Sequence, residues 1–160
     1  MHIHGQLNED DYVAAQFLHM RPSLPYAITG ILLLVIMLVV CALDHSKESL
    51  IALAALAFFA LMLFVYTPYR ARRTFREYKA LSEPVTYEIR DDGLYARREH
   101  GEGLVPWADL VKSKKNQKLI LLYPARNIFY MLPQRLFGDA EQFESFALLV
   151  SNKLGKATRS

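Results

Sequence analysis

Two apolar runs without a single charge constrain this chain more than any other feature. Tyr26 to Leu43 (YAITGILLLVIMLVVCAL) has 18 residues and Leu50 to Tyr66 (LIALAALAFFALMLFVY) has 17. At 1.5 Å per residue the first makes a helix of about 27 Å, close to a hydrocarbon core of about 30 Å. Backbone amides in lipid must be satisfied within their own segment, so these runs predict two unbroken helices, spans 26–43 and 50–66. The polar residues Asp44 to Ser49 join them into a transmembrane hairpin over 26–69, with Tyr26, Tyr66 and Tyr69 where an aromatic belt would sit. Glu9, Asp10 and Asp11 ahead of the first run, and no basic segment there, speak against a cleaved leader. Neither run holds an ionisable residue that would serve a transport path. Cys41, the one cysteine, excludes a disulfide framework within the chain. It is expected to pack with Ala42 against Ala52, Ala54, Ala55 and Ala57.

The charge of +3 is unevenly placed: residues 1–69 sum to −3 and residues 70–160 to +6. Arg70, Arg72, Arg73, Arg76 and Lys79 follow the second run directly, on a juxtamembrane helix expected over 70–83 and ended by Pro84. By the positive-inside rule these five set the topology, with both termini cytoplasmic and the loop outside. Residues 1–25 predict one amphipathic helix: Asn8 as N-cap, acids in the first turn, Val13, Phe17 and Met20 on one face, and Pro22 as the stop. His2, His4 and His45 read as solvated residues, because a metal site needs three or four ligands held in geometry; no metal and no cofactor are expected.

From Pro84 the period changes. Val85–Ile89 alternates as a strand, Asp91-Asp92-Gly93 is a turn with glycine at a left-handed position, and Leu94–Glu99 returns. A turn at Gly101–Gly103 leads to Leu104–Trp107. A hairpin over Leu110–Lys115 and Lys118–Tyr123 follows, then a turn at Pro124–Asn127 and a strand over Ile128–Leu132. The chain closes in a helix with Asp139 and Gln142 at its start, Phe143, Phe146, Ala147, Val150 and Leu154 on one face, and Gly155 as its C′ residue. Residues 84–157 thus predict five or six antiparallel strands covered by one helix.

The order of two spans, a basic helix, Pro84-Val85-Thr86-Tyr87-Glu88-Ile89, then Pro106-Trp107-Ala108-Asp109-Leu110, then Leu132-Pro133 before a terminal helix resembles the YcxB-like family of bacterial membrane proteins. The resemblance extends over nearly the whole chain and is most specific from 84 to 154. It implies a bacterial inner membrane, a membrane α-helical hairpin plus an α+β cytoplasmic domain, and a pleckstrin-homology-like (PH-like) antiparallel sheet capped by the C-terminal helix. The family has no agreed activity, so the resemblance implies no mechanism.

Function is therefore read from the residues. No phosphate loop, nucleophile elbow or metalloprotease motif is present, so the chain is expected not to be an enzyme. Lys112, Lys114, Lys115 and Lys118, with Arg97 and Arg98, form a candidate contact for a protein partner or for anionic lipid, against the plainer reading of a solvated hairpin. Trp107 is expected to pack under the closing helix, with a partner contact as the other reading. Nucleic acid is not expected, since no recognition helix or basic stacking platform is evident. The expected function is that of a membrane-anchored binding or scaffold protein, whose partners are the bilayer, a protein and, as an open alternative, further copies of itself. The competing class is a small immunity or resistance protein whose hairpin, through its spans and the loop Asp44–Ser49, intercepts a membrane-active toxin.

Overall fold

The computed structural model describes residues 2–44 and 46–157. Its elements are β1 (His2–Gly5), α1 (Glu9–Met20), α2 (Leu24–Asp44), α3 (Lys47–Glu77), β2 (Val85–Ile89), β3 (Gly93–Arg98), β4 (Gly101–Pro106), β5 (Lys112–Lys115), β6 (Leu119–Ala125), β7 (Ile128–Pro133) and α4 (Ala140–Ala157). Short 3-10 turns lie at Lys79–Leu81, Trp107–Asp109 and Gln134–Leu136. The chain divides into two compact units, residues 20–70 and residues 1–19 together with 71–160.

In the first unit both apolar runs are helical, and both helices are long and apolar enough to cross a membrane. The link between them is shorter than the six polar residues suggest. α2 runs to Asp44 and α3 begins at Lys47, because Ser46 acts as an N-cap: its Oγ accepts the Ser49 N–H at 3.2 Å and its carbonyl accepts the Leu50 N–H at 3.2 Å. His45 lies outside the described residues. The alanine seam expected on the second span is not formed, since Ala52, Ala54, Ala55 and Ala57 are all exposed. Cys41 is half-buried, and its thiol donates to the Ser49 carbonyl at 3.1 Å.

α3 continues through Pro68 to Glu77 and stops well before Pro84. A 3-10 turn follows, closed by the Ser82 hydroxyl donating to the Lys79 carbonyl at 2.8 Å. Ala71 and Phe75 are buried and Leu81 half-buried, while Tyr78 is exposed.

The second unit holds two antiparallel sheets, β1-β2-β3-β4 and β5-β6-β7. The expectation of five or six strands misses β1, which pairs with β2 in the register His2↔Glu88 to Gly5↔Val85. Four residues of His-Ile-His-Gly carry too short an alternation to announce a strand, and their pairing partner lies far along the chain. Ile3 is nonetheless 1 % exposed and belongs to the main core with Val85, Tyr87, Leu94, Trp107, Ile120, Leu122 and Leu132, closed by Phe143, Phe146 and Val150 of α4. The helix start is as expected, with Asp139 Oδ1 accepting the Gln142 N–H at 2.7 Å. Its end is not: Gly155 lies inside a helix that runs to Ala157.

A second core lies on the other face of β5-β6-β7, where Leu119, Leu121, Tyr123 and Met131 meet Leu7, Ala15, Leu18 and Phe75. β6 is thus buried on both faces, and the expected one-sided sheet is covered twice. α1 is capped by Asn8, whose Oδ1 accepts the Asp11 N–H at 2.8 Å while Asp11 Oδ2 accepts the Asn8 N–H at 3.0 Å. Its buried face is Ala15 and Leu18, not Val13, Phe17 and Met20; Phe17 and Met20 are exposed and Val13 half-buried. Burying a leucine contributes about 1.5–3 kcal/mol, so Leu7 and Leu18 account for much of what holds this segment in place.

Two turns also move. Gly101 and Gly103 lie within β4, and the turn falls on Glu99-His100. Gly93 is required for a close approach rather than a left-handed conformation: a Cβ there would stand 2.3 Å from the Val105 carbonyl oxygen and 2.9 Å from Pro106 Cα, both backbone atoms. Gly93→Ala is expected to lower unfolding stability by about 1–3 kcal/mol, as overpacking does. Gly101→Ala, with nothing within 4 Å of the added Cβ, is the control. Urea titration of the detergent-solubilised protein, followed by Trp107 emission, measures both; equal midpoints would refute the close-contact account.

Candidate functional site

The six basic residues singled out in the sequence do not form one patch. β3 carries Arg97 and Arg98 in one sheet, and β5 carries Lys112, Lys114 and Lys115 in the other. Strand alternation separates the lysines again. Lys112 lies over the Tyr123 ring at 4.6 Å, and Lys114 donates to the carbonyls of Leu18 (3.3 Å) and His19 (2.7 Å), so it caps the last turn of α1. Lys115 points the other way, pairing with Glu144 of α4 and standing 5.5 Å from the Phe143 ring centre. Lys118 is exposed in the turn. Arg98 donates to the Ala80 carbonyl at 3.2 Å, and Arg97 donates to Glu102 across the β3–β4 pair at 3.2 Å.

Arg97 also belongs to the polar outer face of the four-stranded sheet. There the Tyr95 ring lies 4.2 Å from the Arg90 guanidinium and 5.7 Å from that of Arg97. Glu88, directly across from Tyr95, accepts from Arg90 at 2.8 Å, and this hydrogen bond holds its carboxyl below the usual range. His4 Nδ1 stands 2.8 Å from Thr86 Oγ1. Among the described residues no three His, Cys, Asp or Glu side chains gather as metal ligands.

Trp107 is 5 % exposed, packs in the main core and donates its indole N–H to the Arg90 carbonyl at 3.0 Å. That is the packing role expected of it, and it fixes the β2–β3 turn to the start of the 3-10 segment.

The arrangement that sequence reading missed lies at the start of α1. Each of its three acids takes an arginine from elsewhere in the unit. Glu9 accepts from Arg76 Nε at 2.7 Å and Nη2 at 3.1 Å, Asp10 accepts from Arg72 at 3.4 Å, and Asp11 accepts from Arg135 Nε through both oxygens, at 3.3 and 3.1 Å. Arg76 holds the Glu9 carboxyl below the ordinary carboxylate range by its hydrogen bond, and by its charge to a lesser degree. Three of the five basic residues expected to set the topology, Arg72, Arg73 and Arg76, thus have counter-ions within the chain. Arg73 pairs with Glu77 one turn on, at 2.7 Å. Three consecutive acids read naturally as a complement to the helix dipole; nothing local in sequence names partners 62, 67 and 124 residues away.

Residues 89–150 match the family described as YcxB-like protein. The match runs from the last residue of β2 into α4 and takes in Trp107 and the Leu132-Pro133 pair, so the resemblance seen in the order of residues is shown for this region. No curated protein and no solved structure matches the chain.

The geometry also makes the seat of α1 sensitive to acid. His19 stacks on Tyr123 and Phe129, with ring centres 5.7 and 5.1 Å away, and its Nδ1 is 3.0 Å from the Tyr123 hydroxyl. Burial lowers its pKa below 6.5, and the nearby charges of Lys114 and Lys112 lower it further. A histidine with a depressed folded-state pKa contributes stability that is complete above its unfolded value and is lost as pH falls through the folded one. Hydrogen exchange of the Tyr12–Leu18 amides in the full chain should therefore accelerate as pH drops below 6.5, after correction for intrinsic rates. His19→Phe should remove that step, and a step of equal size in the variant would assign it elsewhere.

Proposed function

We propose that this chain, YcxB-like over residues 89–150, is a two-span protein of a bacterial cytoplasmic membrane that holds a PH-like binding domain at the cytoplasmic face. One observation carries the reading: α3 is a single helix from Lys47 to Glu77 whose apolar part passes directly into Arg70–Arg76 and whose final turns bury Ala71 and Phe75 in the β-unit. A binding unit that follows a span in the chain stays tethered to the membrane. The basic residues at that junction favour the cytoplasmic side for both termini. Two antiparallel sheets with a C-terminal helix packed on their shared core support the PH-like reading.

The activity is docking of a protein partner beside an anionic leaflet, without catalysis. The side chains offered to a partner are those of the outer face of β1-β2-β3-β4 and Lys118, which are exposed or half-buried. A PH-like fold alone does not assign a ligand, so the claim rests on the tethered placement. Two measurements test it. A reporter fused after Ser160 should be active only when its activity belongs to the cytoplasm. Crosslinking in the native membrane with the full chain should yield discrete adducts that disappear when residues 85–160 are deleted from a still-inserted protein; unchanged adducts would end the domain-docking reading.

A further inference from the structure

We propose that Arg72 and Arg76 form a binding surface for the phosphate of anionic lipid headgroups, and that Glu9 and Asp10 are tethered competitors that hold this surface in check. The inference rests on the membrane placement proposed above and adds a ligand and a form of control. Arg72 and Arg76 are one helical turn apart on α3, within ten residues of Tyr66, the last residue of the apolar run. Both guanidiniums already sit on anions. Arg76 presents Nε and Nη2 to the two Glu9 oxygens at 2.7 and 3.1 Å, the forked geometry that also suits a phosphate. Arg72 meets Asp10 at 3.4 Å.

The third pair separates a clamp from a gate. Asp11 is only 13 % exposed, caps α1 and is held by Arg135, so it fixes where the acidic turn lies. Asp10 is 83 % exposed and Arg76 70 %, so their pairs exchange readily with solvent ions. With Leu7, Ala15 and Leu18 buried, α1 stays docked when these outer pairs open. The carboxylates therefore remain at high local concentration beside the arginines, and a lipid phosphate has to displace them. The chain in this way keeps its basic junction from gathering anionic lipid at full strength.

The test uses the full chain in phosphatidylcholine vesicles carrying spin-labelled phosphatidylglycerol or spin-labelled phosphatidylcholine. The immobilised fraction of each label gives the preference of the protein for the anionic lipid. Glu9→Gln with Asp10→Asn should raise that preference about fivefold, the worth of one fully engaged basic residue near a membrane. Asp10→Asn alone, which leaves the Asn8–Asp11 cap untouched, should raise it by less, and adding Arg72→Gln and Arg76→Gln to the double variant should remove the gain. Trp107 emission checks that each variant remains folded. An unchanged preference in both carboxylate variants overturns the proposal, as does a gain that survives loss of the arginines. Tighter binding of inorganic phosphate by the double variant with no gain in lipid preference also overturns it, since free phosphate would then be the ligand. If the preference stays flat while deletion of residues 85–160 still abolishes the crosslinked adducts, the gate fails and the docking function stands; persistent adducts with a lipid gain would mean the reverse.

Discussion

Everything in the β-unit depends on β6 having no solvent face. Leu119 to Tyr123 are all at most 1 % exposed, with Ile120 and Leu122 in one core and Leu119, Leu121 and Tyr123 in the other. A strand buried on both sides reads as a continuous apolar run rather than an alternation. It needs cover from two directions: the four-stranded sheet and α4 supply one, and α1 with the end of α3 supplies the other. The N-terminal segment is thus part of the fold, and the lysines of β5 are drawn to either side because the strand they occupy pairs with β6.

Charge is used locally in the same unit. Among the described residues seven arginines, at 72, 73, 76, 90, 97, 98 and 135, and three lysines, at 114, 115 and 153, meet carboxylates or carbonyl ends within the chain. A net count of basic residues overstates how much positive charge the unit offers to anything else. Lys118, exposed in its turn, is a smaller surface than the lysine-rich hairpin suggests.

The legibility of this chain in its sequence follows the range of the interactions. The two apolar helices, the caps at Asn8 and Asp139, the strand Val85–Ile89 and the apolar face of α4 are set by neighbours within a few residues, and they read correctly. β1 did not, because what makes His2–Gly5 a strand is the partner strand Val85–Glu88. The face of α1 was misjudged for a related reason: Val13, Phe17 and Met20 share one face by spacing, but the site that receives the helix is lined by Leu119, Leu121 and Tyr123 and admits Ala15 and Leu18. Gly93 was recognised as necessary on the wrong ground, since the backbone that crowds it belongs to β4. The paired arginines were invisible as pairs, although each was conspicuous alone.

The pairing of β1 with β2 also orders events during synthesis. Gly5 pairs with Val85, 80 positions later, so the first strand is made long before its neighbour exists. At about 5–20 residues per second, the ribosome takes about 4–16 s to supply it. Through that interval Ile3 and Leu7 have neither sheet nor second core to enter, and both apolar helices are completed first. Both apolar helices are therefore complete before the β-unit can close, and the nascent chain carries an unsatisfied strand that a chaperone or a neighbouring chain is free to meet.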